Sequence, residues 1–188
     1  MVALTACGGD DTRDTSDPSL PDQHGETDGD GAAEDALGGA VITSISGEDI
    51  CARLPGADLG VTLGLTIDEA VAYDTATPQC TYSHTSGTGS TSSVTVASLR
   101  ADGDLGGRSG DEAFDYVVDI NRGLAGGTDF EEVELDAGDR AVRFSGEALH
   151  LGIVFAGGHL FTVIVPVGDA DAGRVDDLLE RVVDRLAG

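Results

Sequence analysis

Cys7, Cys51 and Cys80 are the three thiols of a chain that carries 35 acidic side chains against ten arginines and has no lysine. Cys7 closes the run Leu4-Thr5-Ala6-Cys7 and is followed at once by Gly8-Gly9-Asp10-Asp11. Small residues ahead of a cysteine admit a signal peptidase, and the thiol there receives a diacylglycerol before cleavage, so the run resembles a lipobox. A complete export signal carries a basic start and about 7 to 15 apolar residues. Residues 1–7 read as the remnant of one, left by a start placed too late or by trimming. With Cys7 acylated, Cys51 and Cys80 are left as an even pair, which in an oxidising compartment is expected to be a disulfide. Each buried methylene contributes about 0.8 kcal/mol, so two acyl chains would hold the protein stably on the outer face of the membrane.

The other groups with chemical potential are scattered. His150 and His159 share a predicted hairpin but lie about 20 Å apart along the ladder, at ~3.4 Å per residue, too far to ligate one metal. His24 falls in a polar segment and His84 at a strand end, where histidine reads as polar punctuation. Asp102-Gly103-Asp104 is a turn with paired carboxylates, and Asp28-Gly29-Asp30-Gly31 with Glu34 and Asp35 fails the full spacing of a calcium loop. Asp139-Arg140 stands at a strand start, as a local ion pair or as a ligand contact.

No G-x-S-x-G, H-E-x-x-H, C-x-x-C or Gly-rich phosphate loop opening a helix occurs. The absence of lysine closes P-loop phosphate transfer, Schiff-base chemistry and Ser-Lys nucleophiles, all of which need an amine. A formal charge of -25 repels phosphate backbones and anionic headgroups, which argues against a nucleic-acid partner. Neither a catalytic residue, a metal nor a cofactor is expected.

The elements that would position any site lie beyond residue 44. Residues 8–44 hold ten Asp or Glu, one Arg and few large apolar side chains, and read as a disordered acidic tether. Residues 45–188 then read as one domain. Ser46-Gly47-Glu48-Asp49 predicts a capped helix stopped by Pro55, and Ala57 to Leu63 a second helical turn ending at Gly64. Cys80 to Tyr82 and Val94 to Leu99 read as strands, with an extended stretch around Ala70 to Tyr73. Asp111 to Leu124 has helical spacing, through Ala113, Phe114, Val117, Val118 and Leu124. Four strands follow, Phe130 to Leu135, Arg140 to Phe144, Leu149 to Ala156 and Leu160 to Val167, and then an amphipathic helix over Asp171 to Leu186.

Gly157-Gly158 sets the register of the last two strands, pairing Ala156 with His159, Phe155 with Leu160 and Val154 with Phe161. One face then carries Val154, Phe161, Val163 and Val165, and the other Leu151, Ile153, Phe155, Leu160 and Ile164. A strand pair apolar on both faces is a central one covered on each side. The C-terminal helix is expected to cover one face, and the helices from Ser46 and Asp111 the other, less completely. An apolar gap with a polar rim is expected there.

Asp49-Ile50-Cys51-Ala52-Arg53-Leu54, Cys80-Thr81-Tyr82, Ala137-Gly138-Asp139-Arg140-Ala141 and the apolar hairpin before the final helix together resemble actinobacterial lipoproteins of unknown function. The resemblance covers about residues 46–187. It implies a Mog1/PsbP-like α/β/α sandwich, that is, an α+β fold with an antiparallel sheet of about six strands and helices on both faces. The resulting expectation is an exported, lipid-anchored binding or accessory module of the cell surface, held by the membrane through lipid on Cys7, whose ligand is a small molecule or an envelope protein. The alternative is an uncommon carboxylate-dependent hydrolase of the cell envelope.

Overall fold

The computed structural model describes residues 44–102, 105–108, 110–124 and 131–188. Cys7 and the lipobox, His24, Gly103, Asp104, Phe130 and all of the tether but Ser44 lie outside them. In chain order the elements are α1 (Gly47–Arg53), α2 (Gly56–Leu63), β1 (Ile67–Tyr73), β2 (Gln79–Thr85), β3 (Thr91–Arg100), α3 (Gly110–Leu124), β4 (Glu131–Leu135), β5 (Arg140–Ser145), β6 (Leu149–Ala156), β7 (His159–Pro166) and α4 (Ala172–Val182), with a final π-helical turn, Val183–Ala187.

The β6–β7 hairpin lies at the centre of the sheet. Gly157 and Gly158 hold φ of 58° and 81°, the positive pair that a two-residue turn of matching twist demands and that only glycine adopts without strain. The register follows as expected, Ala156 opposite His159, Phe155 opposite Leu160 and Val154 opposite Phe161. β7 also pairs with β3, so two antiparallel meanders meet along it, giving the order β1-β2-β3-β7-β6-β5-β4. The sheet thus has seven strands rather than six. The additional one is β1, an edge strand that carries Asp68 and Glu69 and has a register irregularity between Ile67 and Glu69, so it shows no clean alternation in sequence.

Both sheet faces are apolar and both are covered, but unequally. Val154, Phe161, Val163 and Val165 join Tyr82, Val94 and Val96 beneath α1, α2 and α4. Val142, Phe144, Ile153 and Leu160 pack against Ala113, Phe114, Val117 and Val118 of α3. The helix from Ser46 therefore shares a face with the C-terminal helix, and the expected pairing of α1 with α3 is overturned. The cause is local. α1 is tied to β2 through Cys51–Cys80, and the Tyr82 hydroxyl donates to the Leu54 carbonyl at 2.7 Å, so α1 must sit on the face to which Cys80 and Tyr82 point.

Local chemistry fixes the helix ends. The Ser46 hydroxyl accepts from the Asp49 amide (3.0 Å) while the Asp49 carboxylate accepts from the Ser46 amide (3.1 Å), the reciprocal cap anticipated from the sequence. α4 presents Val175, Leu178, Leu179 and Val182 to the sheet, and Leu186 follows in the final turn. Its approach is close enough that a Cβ at Gly152 would lie 2.6 Å from Leu179 Cδ1, which explains a glycine inside a buried strand.

The bridge joins residues 29 apart with Cα atoms 5.4 Å from each other. Replacing both cysteines by serine is expected to lower stability by about 3 to 4 kcal/mol, the chain-entropy value for a loop of this size. Urea unfolding of the two chains measures it. Two reactive thiols besides Cys7 in the unfolded, unreduced chain would contradict the bridge.

Candidate functional site

Among the described residues three polar clusters interrupt the apolar layers, and one of them opens to solvent. The open one lies where α3 crosses the β4–β5 edge. The α3 flank bearing Asp115, Asp119 and Arg122 faces Glu132 and Glu134 of β4, and the β4–β5 turn brings Asp139 and Arg140 into the same groove, a cavity of about 440 Å³ floored by Phe114, Val118 and Val142. Arg122 forms a two-point pair with Glu132 (Nε to Oε2 2.9 Å, Nη2 to Oε1 2.6 Å) and also donates to Asp119 at 2.7 Å. Arg140 donates to Asp115 (2.8 Å), approaches Asp111 (3.5 Å) and lies over the Phe114 ring at 4.3 Å. Asp139 and Arg140 are thus brought together at one site, but Arg140 pairs with α3 and not with its neighbour. Glu134 and Asp139 bring two carboxylates that stand outside these pairs.

The hydrogen bonds from Arg122 hold the Glu132 carboxyl below its ordinary range, and the hydrogen bond to Asp115 holds the Arg140 guanidinium more firmly charged. A hydrolase working through paired carboxyls needs one of them kept protonated as the general acid. Glu132 is shifted in the opposite direction. The groove is lined by five carboxyl side chains and two guanidiniums. It also differs from the apolar gap expected, because the flank of α3 that overhangs the sheet edge is the charged one.

The second cluster is buried under α4. Arg143, 6% exposed, turns inward from β5; its Nε donates to Asp176 Oδ1 of α4 at 2.6 Å and its Nη1 donates to the Ser145 hydroxyl. Ser145 Oγ lies 2.9 Å from His150 Nδ1. A serine beside a histidine base is a possible nucleophile. Here the same oxygen also accepts from Arg143, and neither Ser145 nor His150 lines the groove. The arrangement satisfies buried polar atoms and pins α4 to β5.

The third cluster joins β2, β3 and the loop before α4. Asp169 Oδ2 accepts from Ser92 Oγ at 2.5 Å and lies 3.0 Å from His84 Nε2, a close contact whose angle falls outside good hydrogen-bond geometry. His84, His150 and His159 stand at or near strand ends and are all buried, as interior polar groups. His159 stacks on Phe161 and lies 3.4 Å from Ser98 Oγ. Asp102 pairs with Arg100 at 3.2 Å. Among the described residues no group of three His, Cys, Asp or Glu is placed to hold a metal ion, and no helix is long and apolar enough to cross a membrane.

Sequence reasoning singled out Asp139 and Arg140 but missed Arg122, Glu132 and Arg143. The pair Arg122–Glu132 joins a helix to a strand across a segment with no local signal. Arg143 did carry one, since it occupies an inward position of β5 two residues from the buried Ala141. Comparison of the chain with family models, with curated proteins and with solved structures finds no match.

Burial, and next the positive charge of Arg143, hold the His150 ring below its ordinary 6.5, against the opposing pull of the Ala170 carbonyl, Asp176 and Asp171. The unfolded chain binds this proton near pH 6.5 and the folded chain only at lower pH, so stability falls as pH drops below 6.5 and levels off beneath the folded value. Urea unfolding at pH 7.5 and 5.5 is expected to show a smaller acid loss for His150→Gln than for the natural chain. Equal losses would assign the slope to other groups.

Proposed function

We propose that this chain is a binding module of the cell surface, exported and lipid-anchored through Cys7, and that the groove between α3 and the β4–β5 edge is its ligand seat. The lipobox-like Leu4-Thr5-Ala6-Cys7, the acidic segment behind it and the Cys51–Cys80 bridge, which belongs to oxidising compartments, support the location. An antiparallel sheet with helices on both faces is consistent with the Mog1/PsbP-like sandwich of the lipoproteins that the sequence resembles.

The observation that carries the binding reading is the groove itself. Its volume is in the range of small-ligand sites, its arginines are engaged by fixed partners, and Glu134 and Asp139 leave it with unneutralised negative charge. Such a seat favours a ligand that carries positive charge, either a small amine or a basic segment of an envelope protein. Phe114 and Val118 would contact its apolar part.

Calorimetry of the full chain with spermine and with a tetra-arginine peptide tests the seat. Saturable binding that weakens as salt is raised is expected, with about a tenfold loss, or ~1.4 kcal/mol, in the E134Q/D139N double variant. No binding by either probe, or saturable turnover of an envelope substrate that is lost in the same variant, would overturn the binding reading; turnover would favour the hydrolase. Mass spectrometry of the membrane fraction, expected to show a diacylglycerol adduct on Cys7, tests the anchor separately.

A further inference from the structure

Helix α3 divides its face of the sheet into two unlike halves. On the β4 side is the charged groove. On the other side two cross-strand rows lie open: Val71, Thr81, Thr95 and Ile164 in the first, and Tyr73, Gln79, Ala97 and Thr162 in the second. None of these eight residues is charged, in a chain of which 24% is charged and whose net charge is -25. Seven of them reach solvent, Ala97 alone being buried. Tyr73 and Ile164 are 44% and 40% exposed. Tyr116 and Ile120 of α3, 38% and 42% exposed, fall on the flank opposite Asp115 and Asp119 and so overlook these rows. Four of the six exposed large apolar side chains among the described residues therefore gather on this one side. Glu69 stands at its β1 edge, and Arg108 lies over the Tyr116 ring at 4.0 Å.

We propose that this trough is a second binding surface, for a short uncharged oligosaccharide laid across β1, β2, β3 and β7 against the α3 wall. A neutral sugar presents hydroxyls and flat C–H faces together. Thr81, Thr95, Thr162 and Gln79 offer donors and acceptors for the hydroxyls, Tyr73 offers a ring face with a polar tip at the β1 side, and Tyr116, one face of which Arg108 covers, offers its exposed remainder at the α3 side. Charge selects the class of ligand. Anionic glycans and headgroups are repelled by the whole molecule, a cationic ligand is better served by the groove beyond α3, and a neutral one meets no charge on the floor. Size selects as well. Four strands span roughly 14 Å, room for a few sugar rings, whereas a stable protein interface takes about 20–30 residues from each side. The proposal uses the half of this face on the other side of α3 from the cationic-ligand seat and stands whether or not that seat binds.

The test is NMR titration of the full chain with cellohexaose, maltohexaose and laminarihexaose, with heparin as an anionic control. Saturable shifts confined to β1, β2, β3, β7 and α3, given by at least one neutral hexasaccharide and absent with heparin, are expected. T95D, which sets a charge on the open floor without touching the core, is expected to weaken binding about tenfold or more, and Y116A to weaken it several-fold. E134Q/D139N should leave it unchanged. T95D is checked for folding by its thermal midpoint, and Y116A supplies a second variant outside the sheet. No response to any neutral hexasaccharide at millimolar concentration overturns the proposal, as do shifts that map to the β4 groove or full affinity in T95D. Trough shifts that follow protein concentration alone would assign the surface to a second copy, and shifts that follow deletion of residues 1–43 would assign it to that segment; either result overturns it too.

Discussion

A hairpin that is apolar on both faces cannot be an edge, and most of this architecture follows from that constraint on β6 and β7. Phe161, Val163 and Val165 on one side and Ile153 and Leu160 on the other are withdrawn from water only if the sheet is extended laterally and covered above and below. The two meanders supply the lateral extension. The helices supply the covers, and there are too few of them for symmetry. α1, α2 and α4 crowd one face, drawn there by Cys51, by Tyr82 and by the long stripe of α4. α3 is left alone on the second face, and one helix cannot span seven strands. The charged groove and the neutral trough are the two uncovered margins of α3.

In an acidic, lysine-free chain the arginines act as connectors. Arg174 Nη1 donates to the Leu63 carbonyl at 2.5 Å and so closes the end of α2. Arg185 and Arg181 both reach Asp58, joining α4 and the final turn to α2. Arg122 and Arg140 tie α3 to the β4–β5 edge. Most of these pairs are exposed, and such pairs add roughly 0 to 1 kcal/mol each; their effect is to fix geometry more than to stabilise. Arg143 differs. Its guanidinium is buried under α4 and is met by the partly exposed Asp176 and by Ser145, which also contacts His150, so removing Asp176 would leave that buried charge without its ionic partner.

Much of the fold was legible because its signals are local. Gly157-Gly158 specified the register, the Ser46–Asp49 pattern specified the start of α1, and the cysteine count specified the bridge. β1 was only half legible, since its alternation is broken by a bulge and by two edge carboxylates. The side on which α1 packs was not legible, because that depends on which face Cys80 and Tyr82 adopt in a register set by β2 and β3 together. The groove was legible in part. Asp139 and Arg140 mark a turn that enters it, while Asp115, Asp119 and Arg122 belong to a helix whose polar flank has the ordinary spacing of a solvated surface. Nothing in the linear sequence distinguishes a solvated flank from one that overhangs a sheet edge.

The cover of the sheet is unequal, with three helices over one face and α3 alone over the other. The chain has three tyrosines, and they report on it directly: Tyr82 is fully buried and hydrogen-bonded beneath α1, whereas Tyr73 and Tyr116 are exposed on the α3 side. Hydroxyl-radical footprinting of the intact chain, read by mass spectrometry, is expected to oxidise Tyr73 and Tyr116 readily and to spare Tyr82 until the protein is unfolded. Oxidation of Tyr82 at the rate of the other two, or protection of both Tyr73 and Tyr116 in the folded monomer, would contradict it.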